Sequence, residues 1–206
     1  AHPPPVFYQL SAQRVFFPLY FFTKFGGWGG VSHAHVDMKW CPGVDFSAGS
    51  LGMGLSYGMG CAIAAKLDGS ERRAFVMLGD GEIQEGSIWE AAMAARHHEL
   101  GNLKVFLDRN NIQNDDFCEA QMRMFDIAAK WSGFGWAVKE IDGHNMSEIV
   151  DAIAWLDRIT DKPAIVIANT VKGKGVSFME NNPAFHGAPP NDEQLRLALS
   201  ELGVSA

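Results

Sequence analysis

Asp80 and Asn110 each follow a short apolar run. Ala74 to Leu78 ends in Gly79-Asp80-Gly81, and Leu103 to Leu107 ends in Asp108-Arg109-Asn110-Asn111. An aspartate offers a hard anionic oxygen and an asparagine a neutral carbonyl oxygen, and the turn after Asn110 can add a backbone carbonyl, most simply that of Ile112. Three protein oxygens leave an octahedral cation unfilled. Mg2+ or Ca2+ held this way would complete its shell with water and two phosphate oxygens, bridging the protein to a diphosphate. Gly81 suits that arrangement, because a residue without Cβ lets its N–H approach a phosphate closely. The competing reading is an ordinary strand-to-helix turn followed by an Asx turn, for which Gly-Asp-Gly is good chemistry. The two signatures together, with Glu85-Gly86 after the first, favour the metal.

The elements that must position these groups follow from periodicity. Both apolar runs read as buried parallel strands. Ser87 to His98 between them, with few breakers, is a helix of crossover length. Further strands are expected at Ala137 to Ile141 and Ala164 to Ala168, separated by a helix from Ser147 to Arg158 that Asn145 or Ser147 would cap. Such alternation predicts an α/β fold, a doubly wound, mostly parallel sheet with helices on both faces. Ligands collect outside the carboxyl ends of such strands, and neighbouring ends lie about 5 Å apart, close enough to share one ion. A helix from Leu51 to Lys66 carries Gly54, Gly58 and Ala62 at a spacing of four, which makes one face flat enough for close approach to another element. Leu195 to Leu202 reads as a closing helix, and 26–30 and 181–192 as loops.

The chain has 206 residues, of which 47% are hydrophobic and 20% charged, enough for one sizeable core, so a single domain over 1–206 is expected. The net charge of -7 argues against nucleic acid or an anionic membrane as partner. Cys41, Cys61 and Cys118 are scattered without metal-ligand spacing, which fits free thiols and a cytoplasmic setting. No run approaches a membrane span, since the richest, Val15 to Phe25, is broken by Pro18 and Lys24. The start, Ala1-His2-Pro3-Pro4-Pro5, has neither Met nor the layout of a signal peptide, so an upstream piece is expected to be missing.

The string from Gly79 to Ala92, followed by Asn102-Leu103 and Asp108-Arg109-Asn110, resembles the thiamine-diphosphate motif of transketolases. It is most similar to the N-terminal subunit of split, two-gene transketolases. Pro42-Gly43-Val44-Asp45, Gly49-Ser50-Leu51-Gly52, Asp142-Gly143-His144, Val171-Lys172-Gly173-Lys174-Gly175 and His186-Gly187-Ala188-Pro189 extend the resemblance in the family's order. It implies a thiamine-diphosphate-binding fold lacking part of the family's amino-terminal region. Asp80, Asn110 and the Ile112 carbonyl would hold Mg2+ (or Ca2+), and Gly81 the diphosphate. Gly49, Ser50 and Leu51 would line the aminopyrimidine side, and the flat helix face would serve subunit packing. His186 matches a histidine on the diphosphate near the reacting centre, His35 a substrate-facing one, and His2 one that approaches the cofactor. Glu85 matches an acid connecting paired active sites, and Lys172, with Lys174, would lie near phosphate.

The implied reaction is transfer of a two-carbon ketol unit from a ketose phosphate to an aldose acceptor. A glutamate needed to activate the cofactor belongs to a separate pyrimidine-binding domain, so the expected partner is a pyrimidine-binding and C-terminal transketolase subunit, two of each forming a heterotetramer. Deoxyxylulose-phosphate synthase and the α subunit of 2-oxoacid dehydrogenases share Gly-Asp-Gly followed by Asn, but His186-Gly-Ala-Pro and Leu100-Gly-Asn-Leu fit transketolase better. Two further readings compete: a degenerate, non-catalytic chain that only binds cofactor, and a metal-dependent phosphohydrolase. The pattern departs from the family at Ala1 and Pro3, across Gln9 to Ser32, at Val36, and at Asn114-Asp115-Asp116. These changes leave the metal ligands intact and bear on substrate choice.

Overall fold

The structure is a computed structural model and describes residues 4–14, 16–28, 30, 33 and 35–204. The chain packs as two compact units, Ala1–Met53 and Gly54–Ala206.

The second unit is built on four parallel strands, β1 (Ala74–Gly79), β2 (Leu103–Arg109), β3 (Ala137–Asp142) and β4 (Ala164–Asn169), in the order β1-β2-β4-β3. Side chains along a strand alternate between faces, and the core divides accordingly. Val105, Leu107, Ile165 and Ile167 join one cluster, while Ala164, Val166 and Ala168 join another. The first cluster is completed by helices α2 (Met53–Leu67), α3 (Gly86–His97) and α5 (Ile127–Gly133), and the second by α6 (Met146–Arg158). Helices therefore lie on both faces of the sheet, as the apolar run of β4 requires. β1, expected to be a buried strand, instead lies at the sheet edge and leaves Phe75 and Met77 50% and 68% exposed. The strands and both crossover helices fall where periodicity predicts them, within two residues.

Several local choices explain this outcome. Asn145, one of the two expected caps, starts α6, its side chain accepting from the N–H groups of Ser147 and Glu148. Gly101 sits where a Cβ would lie 1.8 Å from the Thr160 carbonyl oxygen, so the two chain crossings at the start of β2 need a residue without a side chain. Gly58 of α2 lies against Val76, where a Cβ would come within 2.4 Å of the valine methyl, and Ala62 is fully buried. Gly58 and Ala62 therefore pack within the chain's own core, which corrects the expectation of subunit packing for those two residues, whereas Gly54 has open space at its Cβ position. The closing helix α7 (Asp192–Glu201) begins with a capping box between Asn191 and Gln194.

The structure adds elements that periodicity did not reveal. α5 is capped by Asp126, which accepts from the Ala129 N–H at 2.8 Å. A four-residue turn of helix, α4 (Cys118–Gln121), follows the loop after β2. In the first unit, α1 (Pro4–Gln13) and a 3-10 segment at Leu19–Lys24 gather a small core of Tyr8, Ala12, Phe17, Cys41 and Val44. The aromatic residues of that region thus partly pack on one another. Among the described residues no helix is long and apolar enough to cross a membrane.

Candidate cofactor and metal site

β1 and β2 are neighbours with Gly79 opposite Asp108, so both acidic signatures leave the sheet at the same edge. The ladder continues one step further, the Asp80 N–H donating to the Asp108 carbonyl at 3.2 Å. The Asp80 side chain is 3% exposed. Its Oδ1 accepts from the Gly81 N–H at 2.9 Å and from the Cys118 thiol at 3.4 Å, and its Oδ2 accepts from the Asn111 N–H. Asn111 has φ 64, the left-handed turn that sends the chain back after β2. Asp80 is thereby tied to the peptide next to Asn110, and the two sequence signatures meet at one junction.

Asn110 is itself fixed. Its Nδ2 donates to Asp108 Oδ2 at 2.8 Å, and its Oδ1 accepts from the Ile112 N–H at 3.0 Å. Beyond it, Ile112 forms an antiparallel bridge with Phe117, and the Cys118 N–H donates to the Asn111 carbonyl at 2.9 Å. This reversal carries Cys118 onto Asp80. It also places Gln113 against Gly81, where a Cβ would lie 2.7 Å from the Gln113 Cβ. Gly81 is therefore required by its own protein's packing, and its N–H is directed to Asp80. Gly81→Ala is expected to displace this turn and weaken binding of thiamine diphosphate with Mg2+ while leaving a cooperative melt, checked by titration calorimetry and thermal unfolding.

Burial raises the Asp80 carboxyl above its ordinary pKa, against the hydrogen bonds from Asn111, Cys118 and Gly81, and the nearby Asp108 charge adds to the rise. Burial, then the Asp80 charge, pushes the Cys118 thiol up to about 12, so it stays protonated and remains a donor. Among the described residues no cluster of three His, Cys, Asp or Glu could hold a metal. Asp80 and Asn110 bring a carboxylate and an amide to this junction, and with a backbone carbonyl such a set would suit a hard cation that shares its shell with phosphate.

The remaining expected residues are distributed between the two units. Lys172 is half-buried, its carbonyl accepting from the Asn181 N–H at 3.0 Å, and Lys174 pairs with Glu180 at 3.5 Å. Glu85 is exposed at the N-cap position of α3, where its side chain makes no capping bond. His186 is half-buried at the end of the 3-10 turn Pro183–Phe185. In the first unit His35 is exposed and its ring lies against Gly49, where a Cβ would sit 3.2 Å from the imidazole Cδ2. Ser50 is exposed and Leu51 half-buried. His2 lies outside the described residues.

Sequence reasoning missed three residues of the junction, Cys118, Gln113 and Thr170, and quoted Asp108 within a signature without giving it a role. Asp108 and Thr170 carry a weak signal, each being polar at the end of a strand, and the Thr170 hydroxyl donates to Asp108 Oδ1. Cys118 and Gln113 carry none, because their placement depends on how the loop folds back.

An open parallel α/β sheet with oxygen donors gathered at its carboxyl edge defines a ligand-binding domain of the doubly wound class. A family model described as "Transketolase, thiamine diphosphate binding domain" matches residues 17–206, and the chain belongs to that family. It is 37% identical over 201 residues to a 6-deoxy-6-sulfo-D-fructose transketolase subunit of a Clostridium species, covering 98% of this chain and 73% of that one. It is 39% identical over 177 residues to an apulose-4-phosphate transketolase subunit of Phocaeicola vulgatus, covering 86% of this chain and 63% of that one. The transketolase of Campylobacter jejuni superimposes with a TM-score of 0.85 at 28% identity, covering 91% of this chain and 30% of that one.

Proposed function

We propose that the chain is the thiamine-diphosphate- and metal-binding subunit of a transketolase-like transferase, one that moves a two-carbon ketol unit from a ketose phosphate to an aldose acceptor. The junction of Asp80 with the Asn110 peptide carries this reading, because it gathers hard oxygen donors at the sheet edge in a member of this family. Asp80, Asn110 and the Ile112 carbonyl hold Mg2+ or Ca2+, and Gly81 lies at the diphosphate. Gly49, Ser50 and Leu51 serve the aminopyrimidine side, and Lys172 the phosphates. When bound, thiamine diphosphate supplies a nucleophilic carbon and an electron sink. His186 and His35 exchange protons with sugar hydroxyls, a task suited to imidazole. His2 approaches the cofactor, and Glu85 links paired sites.

On this reading residues 1–206 act as one cofactor-binding domain that works with a pyrimidine-binding partner subunit, two of each in the assembly. Relatives called transketolase subunits support that division. Three free cysteines fit a reducing, cytoplasmic setting. Ketol transfer is expected from this chain only when the pyrimidine-domain partner, thiamine diphosphate and Mg2+ are all present. Full transfer by the purified chain with cofactor and Mg2+ alone would overturn the partner requirement.

A further inference from the structure

An asparagine amide can be turned over with little change of shape, so packing alone does not decide whether its oxygen or its NH2 faces a ligand. Hydrogen-bond partners do decide it. A carboxylate only accepts and a peptide N–H only donates. Asn110 has one of each: Asp108 Oδ2 takes its Nδ2 at 2.8 Å, and the Ile112 N–H reaches its Oδ1 at 3.0 Å. The Asp108 carboxylate is held from the other side by the Thr170 hydroxyl, which donates to Oδ1. Thr170 is itself placed by the sheet, since β2 and β4 pair with Asp108 opposite Ala168, and the Thr170 N–H donates to the Arg109 carbonyl at 3.0 Å.

We infer that Asp108, anchored by Thr170, is a positioning residue that fixes the Asn110 amide with its oxygen, not its NH2, available to the cation. The inference rests on the reading of Asn110 as a cation ligand. A reversed amide would place two N–H donors where a positive ion belongs and would leave Asp108 facing an acceptor. Partners that orient metal ligands typically change affinity about 10–100-fold when lost.

The test separates orientation from charge. Asp108→Asn removes the charge, yet its amide oxygen can still accept from Asn110 Nδ2 while its own NH2 donates to Thr170. Asp108→Ala removes both charge and orientation. Mg2+ affinity is measured by titration calorimetry at saturating thiamine diphosphate, in the full chain with its proposed partner subunit, and each variant is checked by thermal unfolding. Asp108→Ala is expected to weaken Mg2+ about 10–100-fold more than Asp108→Asn. That gap should close in an Asn110→Asp background, because a carboxylate presents oxygen whichever way it turns. Equal losses for the two variants, or a gap that persists with aspartate at 110, would overturn the inference. The underlying ligand reading fails separately, if Asn110→Ala leaves Mg2+ affinity unchanged. Weakening by Asn110→Ala with no gap at 108 would keep the ligand and sink the role of Asp108.

Discussion

Asp80→Ala is expected to lower the affinity for Mg2+ with thiamine diphosphate by more than about 100-fold, beyond what loss of a second-layer partner brings. The same substitution leaves the Asn111 and Gly81 N–H groups and the Cys118 thiol without their shared acceptor. Retained affinity, measured by titration calorimetry, would refute the ligand assignment. A pH dependence follows from the same carboxyl. Because burial raises its pKa in the folded, metal-free protein, Asp80 holds its proton to higher pH than it does in the unfolded chain. Its contribution to metal-free stability is therefore full below the ordinary carboxylate range and is lost as pH climbs through the raised value. A cation competes with that proton. The rise in melting temperature produced by Mg2+ and thiamine diphosphate should accordingly grow as pH increases through the same window. A gain that stays flat with pH would mean that Asp80 is already ionised in the free protein.

Trp131→Ala should destabilise the protein by about 3–5 kcal/mol, the usual cost of deleting a fully buried large aromatic. Trp131 is 0% exposed, with Trp136 at 4.8 Å and Trp89 at 5.3 Å between ring centroids. Among the described residues no acceptor reaches its buried indole N–H. Trp131→Phe should therefore lose much less than the alanine variant, because it keeps most of the packing and removes an unsatisfied donor. Denaturant unfolding of both variants checks the ranking. Equal losses would show that the indole itself, rather than aromatic bulk, holds α5 against α3.

β2 and β4 were legible because each is a run of mostly buried apolar residues ending in polar groups. β1 and β3 were legible from apolar composition and flanking turn signals, although most of their residues are only partly buried or exposed. α6 was legible for a similar reason: Asn145 supplies a start signal and Arg158 stands in the last turn. α5 was not, since seven residues give too little periodicity, and Trp131 and Ile127 are buried by packing rather than by pattern. Asp80 and Asn110 were legible as a pair, because chemistry and spacing coincide. The bonds that orient them were not. Cys118 reaches Asp80 only because the chain reverses between Ile112 and Phe117, and Thr170 reaches Asp108 only because β4 lies beside β2. The small residues of α2 show the opposite error: spacing predicts close approach, which holds at Gly58 but not at Gly54, and spacing does not say which surface approaches.

Strand order has a consequence for assembly. Chains emerge from the ribosome amino end first, yet β4, the last of the four strands in sequence, fills the place between β2 and β3. A growing chain can bring β1 and β2 together early, but one flank of β2 stays bare, and Asp108 lacks its threonine, until residue 170 has been made. The contact that anchors Asp108 is thus a late product of synthesis, formed only once β4 has taken its place beside β2.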